Sequence, residues 1–400
     1  RGRPASGRNR KALAAAVKAV DPGAEIFGLV SYGYGGFVDL QSAPDWERER
    51  GAHAWYTEYF LAELAAASAA AGTRLLDVLD LHFYSEARQN DVRVQSGTTE
   101  NAGARVQSTR SLWDPSYGYS VDDPTVGENS WITEWSDPIA LIPRVLGQIE
   151  ANYPGTRLAL TEYDFGAADH VSGGVAQADA LGIFGREGLY LAARWGEPGS
   201  YTDAAYQLYL DYDGAGSSYG ATNVRAASSD VVNVPAYASV DGTRLHLVLI
   251  NRHLSAAQTA AVTIAGPTAY LDGEAWGFDG ESARITSRGA VTVRDNAFSI
   301  ELPALSAYHV VLTPEGGSTG EGGATGGGGT TGSGGTPGDG GGAASGATVS
   351  GGGASGPAAA LAADDDGGCA CRTAPRRRAP SWPLAALLVA LGRWRRRRGP

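Results

Sequence analysis

The order of apolar runs predicts an α/β chain: part of a (β/α)₈ barrel, an antiparallel β-sandwich, a disordered linker and a short apolar tail. Three observations carry this expectation. A helical pattern followed by a short apolar strand recurs four times before Trp195, as parallel sheets covered by helices require. After Asp230 the pattern changes to short alternating runs separated by turn residues, which suits a sandwich. From about Glu315 the composition falls to Gly, Ser, Thr, Ala and Pro, which offer too little apolar surface to offset the entropy of ordering.

The first unit is an Ala-rich helix over 10–20, stopped by Asp21-Pro22-Gly23, and a strand over 25–30. The second is a helix over 55–71, ended by Gly72, and a strand over 75–83. A helix over 139–153 leads through Pro154-Gly155 into a strand over 157–162. The fourth unit pairs a helix over 175–187 with a strand over 189–195. A closed barrel needs eight strands, so four make half of one. The sandwich strands are expected at 244–250, 258–264, 290–294, 298–301 and 307–312. This divides the chain into a partial barrel (1–229), a sandwich (230–314) read as a stabilising accessory to it ahead of an independent binding module, a Gly-rich linker (315–363) and a tail (364–400).

All 43 acidic residues precede Arg372, whereas nine of the 32 basic ones lie from Arg372 onward. The body is therefore strongly acidic, which argues against nucleic acid as a partner. The chain has no Met and begins at Arg1 without a signal-peptide pattern, so the expectation is that the natural protein starts upstream. Both cysteines, Cys369 and Cys371, lie in the tail, leaving no thiol chemistry for the body.

In a (β/α)₈ barrel the C-terminal strand ends form the functional face, where Tyr32, His82, Tyr84, Glu162, Tyr163 and Trp195 are expected to converge. Glu162 closes an apolar strand, and an ionisable group there points to the mouth of the barrel; on its own, a solvated strand-end glutamate is the favoured reading. Retaining cleavage of a glycosidic bond needs two carboxyl groups about 5 Å apart, one ionised and one protonated. Tyr84 reads either as a donor to such a carboxylate or as a core tyrosine, and His82 as a hydrogen-bonding residue near the cleft floor. Trp131 and Trp135 stand four residues apart, which puts both rings on one face of a helical turn. Aromatic faces of this kind complement the C–H faces of sugars; packing in the core is the competing reading. Glu86 and Glu134 are further carboxylates near cleft aromatics, with a substrate contact expected of Glu86 and a surface position of Glu134. The glycine runs lack the Lys-Ser or Lys-Thr of a phosphate loop, and His and Cys show no metal-ligand spacing.

The stretch from Thr161-Glu162-Tyr163-Asp164-Phe165-Gly166 through Ser172-Gly173-Gly174-Val175 to Gly185 resembles glycoside hydrolase family 44. Val30-Ser31-Tyr32-Gly33-Tyr34-Gly35-Gly36 and Leu76–Tyr84 resemble the fifth and sixth barrel strands of that family, and the likeness runs from about Lys11 to Leu312. The resemblance implies that residues 1–229 are the C-terminal half of the barrel, strands five to eight. It implies endo-acting, retaining hydrolysis of β-1,4-glucans such as xyloglucan or soluble cellulose derivatives, with Glu162 as nucleophile. It also implies that Trp131, Trp135 and Trp195 line the substrate groove; from their positions, Tyr84, His82, Glu86 and Tyr163 are expected to bind substrate beside them. No cofactor is implied; a structural calcium is compatible with the family, through carboxylates that the sequence does not place. The acid/base glutamate of the family lies in an Asn-Glu-Pro motif that does not occur in this sequence, so these 400 residues alone are expected to be inactive.

The tail holds a short apolar run over 382–391 followed by an arginine cluster, an order that resembles C-terminal sorting tags of myxobacterial secreted proteins. Ten residues fall short of the ~20 that span a bilayer, so a processed anchor is expected, with the body secreted or displayed at the cell surface and the tail as its sole membrane contact. A monomer acting on polysaccharide is the resulting expectation. Two rivals share these features: a retaining β-glycanase of another barrel-plus-sandwich family, and a non-catalytic surface protein that binds polysaccharide.

Overall fold

The structure, a computed structural model, describes residues 5–315 and 369–373. The linker expected at 315–363, beyond its first residue, and most of the tail at 364–400 lie outside the described residues.

Four strands, β1 (Phe27–Ser31), β2 (Val78–Tyr84), β3 (Arg157–Asp164) and β4 (Leu191–Arg194), form one parallel sheet in sequence order. Each follows a helix: α1 (Ala5–Val20), α2 (Tyr56–Ala71), α3 (Leu141–Asn152) and α4 (Val171–Arg186). A parallel sheet is covered by helices, so its middle strands are apolar throughout, and β2 is buried along almost its whole length. The helix ends are fixed by local chemistry. The Glu58 carboxylate accepts the free Ala54 and Trp55 amides at the start of α2, and Gly72 closes it in the left-handed conformation at φ 65°. His170 caps α4 by accepting the Ser172 amide. That cap starts α4 four residues before the position that apolar periodicity predicts.

Helix α5 (Ser200–Leu210) leads to two further sheets. Their strands are β5 (Thr222–Val224), β6 (Ala226–Ser228), β7 (Ala236–Asp241), β8 (Arg244–Asn251), β9 (Gln258–Ile264), β10 (Tyr270–Asp279), β11 (Ser282–Thr292), β12 (Ala297–Leu302), β13 (Ser306–Pro314) and β14 (Cys369–Thr373). One sheet has the order β11-β10-β13-β8-β7-β5 and the other β12-β9-β14-β6. Leu247, Leu249 and Val310 from the first share an apolar cluster with Ala260, Val262 and Leu302 from the second. Residues 369–373, read from sequence as tail, pair antiparallel with β9 and parallel with β6.

The long hairpin β10–β11 is where the sequence reading falls short, since it expects strand only at 290–294. The cause is glycine. A Cβ on Gly273 would lie 2.3 Å from the Val311 carbonyl oxygen, and one on Gly277 2.4 Å from the Tyr308 ring. Close approach of β13 thus demands residues that read, in sequence, as turn formers.

The parallel half and the six-stranded sheet share one core. Tyr237, Val248, Ile250, Phe278 and Ala307 belong to the same apolar cluster as Val175, Ile183 and Leu208. A Cβ on Gly182 of α4 would sit 2.3 Å from the Tyr237 ring, so only glycine lets the helix lie flat on β7. Across this boundary the fully buried pair Asp179 and Arg252 is satisfied further by Tyr237, whose hydroxyl donates to Asp179 at 2.8 Å, and by Thr109. A buried ion pair needs such extra hydrogen bonds to offset its desolvation.

Candidate active site

Glu162 lies near the C-terminal end of β3, half-buried, and its Oε2 is held from two sides. Tyr84 Oη donates to it at 2.9 Å and His82 Nδ1 stands 3.1 Å away. Both residues come from β2, two residues apart and so on one face, beside the strand that carries Glu162. Burial and the Glu162 carboxylate together push the Tyr84 hydroxyl well above its usual range, which keeps it a donor. One residue before Glu162, the Thr161 hydroxyl donates to buried Asp80 at 2.7 Å, locking β3 to β2; burial raises the Asp80 carboxyl above its ordinary range.

Glu162 opens into a groove of about 760 Å³. Trp131 and Trp135 form one wall from a short 3₁₀ turn, Trp131–Glu134, each with nearly half of its surface exposed. Trp195 follows β4 and stands at the β4 end, while Tyr32 and Tyr34 follow β1 at the other. The tryptophan turn is fastened to the β1 end by a buried contact between the Tyr34 and Ser136 hydroxyls. Apolar rings that remain exposed along a groove are poor core residues and good sugar platforms.

The structure corrects one expected site residue and qualifies two. Tyr163 does not reach the groove: it is fully buried, packs edge-on against Phe184 and accepts a hydrogen bond from Gln177. Adjacent residues of a strand face opposite sides, so with Glu162 in the groove Tyr163 must point into the core. His82 lies behind the Glu162 carboxylate, about 9% exposed, rather than along the groove wall. Glu86 does line the groove, but its carboxylate is engaged by Arg93 at 3.3 Å. Glu134 is exposed and does not line the groove.

Sequence reasoning missed the hairpin at 88–93, which brings Arg93 to the groove. The Arg93 Nε–H donates to Gln95 at 2.7 Å, and the Gln95 amide bonds the Ser85 and Asp164 carbonyls, tying the hairpin to the ends of β2 and β3. It also missed Asp164, which lies two residues beyond Glu162 in the same groove and 2.9 Å from Arg194. Period-two counting from Glu162 finds Asp164, and Asn90-Asp91, both at positive φ, is the local mark of the tight hairpin turn. Beneath this layer Arg105 is fully buried and donates to Val94, Phe165, Thr98 and Gly97 carbonyls, fixing the loop that follows. Among the described residues no group of three or more His, Cys, Asp or Glu is arranged to hold a metal ion, and no described helix is long and apolar enough to cross a membrane.

Residues 7–87 match the model of glycoside hydrolase family 44. Beta-mannanase/endoglucanase A of Caldicellulosiruptor saccharolyticus is 47% identical over 302 residues, 73% of this chain and 23% of that protein. Endoglucanase A of Paenibacillus lautus is 44% identical over 310 residues, 75% of this chain and 43% of that protein. Among solved structures, a family 44 xyloglucanase of Paenibacillus polymyxa superposes with a TM-score of 0.71 at 39% identity, over 77% of this chain and 60% of that one. The family 44 endoglucanase Cel44A of Clostridium thermocellum gives 0.71 at 42% identity with the same coverage. The chain thus spans 23% and 43% of the two curated relatives and 60% of each of these solved structures. Similar in sequence to endoglucanases and in structure to family 44 enzymes, the chain finds in these likenesses the support for glycoside hydrolase family 44 as its family.

Proposed function

We propose that the protein is an endo-acting, retaining glycoside hydrolase of β-1,4-glucans such as xyloglucan, with Glu162 as its nucleophile. The observation that carries this reading is the double hold on Glu162 Oε2 by Tyr84 and His82 at the floor of an aromatic groove. The Tyr84 hydrogen bond orients the carboxyl through Oε2 and leaves Oε1 free to attack an anomeric carbon. Similarity to a xyloglucanase whose structure was solved with xyloglucan supports the substrate class.

The reading takes the four-stranded parallel sheet as half of a (β/α)₈ barrel. It assigns the acid/base role to a carboxyl outside these 400 residues, because the other carboxylates around Glu162 are already engaged. Glu86 faces Arg93 and Asp164 faces Arg194, while Asp39 holds a backbone amide of its own turn. A general acid has to face the leaving oxygen, and a carboxylate turned to another partner does not. The chemistry needs no cofactor, since two carboxyl groups suffice. A polymeric substrate places the protein outside the cell, which fits the secreted or surface location expected from the tail.

The test is hydrolysis of xyloglucan, a soluble β-1,4-glucan and xylan by the full-length protein and its Glu162→Gln variant. Turnover of the glucans that the variant loses at least a thousandfold supports the proposal, on the scale expected for removing a nucleophile. Activity of the variant near that of the parent would remove it.

A further inference from the structure

The segment after β1 holds a backbone feature that neither the core nor the catalytic floor explains. Leu40, Gln41 and Ser42 adopt φ values of 55°, 58° and 57° in succession, a turn of left-handed helix built without glycine. Each such residue brings its Cβ against the following carbonyl, so the conformation persists only where the surroundings impose it. Here they do. The Gln41 amide donates to the Gly35 carbonyl at 2.9 Å, the Ser42 amide to Asp39 Oδ1 at 2.7 Å and the Ala43 amide to the Asp39 carbonyl at 3.1 Å. Leu40 anchors the turn by packing on the main core.

What the strain achieves is a presentation of side chains. Asp39, Gln41 and Ser42 all line the groove that contains Glu162, and Gln41 and Ser42 are exposed. Among the described residues neither the Gln41 side-chain amide nor the Ser42 hydroxyl has a hydrogen-bond partner. Tyr32, 79% exposed, lines the same end of the groove. The turn follows β1, two strands from Glu162 on β3 and on the side away from Trp195 after β4. An aromatic face beside an amide, a hydroxyl and a carboxylate, with no cation in the turn, suits the hydroxyl groups of a neutral sugar and disfavours an acidic one.

Resting on the glucanase reading above, we infer that the left-handed turn at 40–42 builds a distal sugar subsite, in which Gln41 and Ser42 hydrogen-bond the hydroxyls of a neutral glucan unit remote from the bond that is cut. Gln41 there sets affinity for long substrates and plays no part in chemistry.

The experiment measures binding of cellohexaose and of cellobiose to the 400-residue chain by calorimetry, for the parent and for Gln41→Gly, together with Tm. Glycine accepts a positive φ without strain, so this variant removes the side chain while easing the backbone. The expected result is a three- to tenfold loss of cellohexaose affinity, about one hydrogen bond's worth, with cellobiose unchanged and Tm equal or higher. Unchanged cellohexaose affinity, or a lowered Tm accompanying equal losses on both sugars, would overturn the inference while leaving the glucanase reading intact. A parent chain that binds neither sugar would also overturn the inference, whereas the glucanase reading stands or falls on turnover by the full-length protein. In the full-length protein the same variant should raise KM on xyloglucan several-fold and leave kcat unchanged; a matching fall in kcat would also count against a distal subsite.

Discussion

Acidification should loosen the joint between α5 and the six-stranded sheet, because that joint is built on two buried neutral histidines. His309 Nδ1 lies 2.8 Å from the Leu208 carbonyl oxygen, and so carries the proton it donates; its Nε2 is then an acceptor for His246 Nδ1 at 3.0 Å. Both rings are fully buried and packed against Tyr212 and Tyr219. Burial is the main cause that pulls His309 down to about 3 and His246 down to about 4; the hydrogen bond to Leu208 and then Asp213 oppose it at His309, while at His246 Arg244 adds to it and Asp241 opposes it. A depressed folded value means that the unfolded chain binds more protons than the native one below about pH 6.5, so stability rises with pH through that window and is lost as pH falls. Each tenfold difference in proton affinity between the folded and unfolded chain is worth about 1.36 kcal/mol, but the two rings are coupled and cannot both contribute in full, which leaves roughly 2–5 kcal/mol lost between about pH 6.5 and 4. Against a total of about 5–15 kcal/mol this is a large fraction. Urea denaturation at about pH 7 and pH 5 should show it, and His246→Asn, which retains a donor to His309, should flatten the dependence by about half. Equal pH dependence in parent and variant would refute the reasoning.

Other consequences are more local. Tyr84→Phe leaves Glu162 Oε2 with His82 alone; a hydrogen bond to a charged acceptor is worth about 1.5–3 kcal/mol, so turnover by the full-length protein should fall at least tenfold with Tm nearly unchanged. Trp131→Ala should weaken cellohexaose binding by roughly tenfold in calorimetry while sparing a short activated glycoside. Gly182→Ala drives a methyl group into the Tyr237 ring and should cost about 1–3 kcal/mol in urea titration. Arg252→Ala strands Asp179 without its cation and should cost about 3–5 kcal/mol by the same assay, more than Asp179→Asn combined with Arg252→Met.

The four parallel strands are legible in the sequence because each follows a helical run closed by a turn residue, and Glu162, Tyr84 and His82 are legible as strand-end groups. The tryptophans are legible from their spacing, although Trp131–Glu134 is a 3₁₀ turn rather than an α-helical one. Tyr163 is misplaced when neighbours on one strand are grouped together, an error that strand alternation corrects. What stays hidden depends on contacts distant in sequence. Strand β10 carries two glycines because β13 crosses it closely, and no local pattern announces that. The partners of Glu86 and Asp164 come from a hairpin and from β4. The left-handed run at 40–42 contains Leu, Gln and Ser, none of which signals a positive φ, so the turn that faces the groove has no sequence mark at all.

The role of Glu162 can be tested on this chain even if the acid/base carboxyl lies elsewhere, because a leaving group of low basicity departs without a proton. An activated dinitrophenyl β-cellobioside, fluorinated beside the anomeric carbon so that the glycosyl-enzyme persists, should release its phenolate once per chain. Peptide mass spectrometry should then place the sugar on Glu162. An adduct on Glu86, Asp164 or Asp39, or stoichiometric labelling that survives Glu162→Gln, would contradict the account.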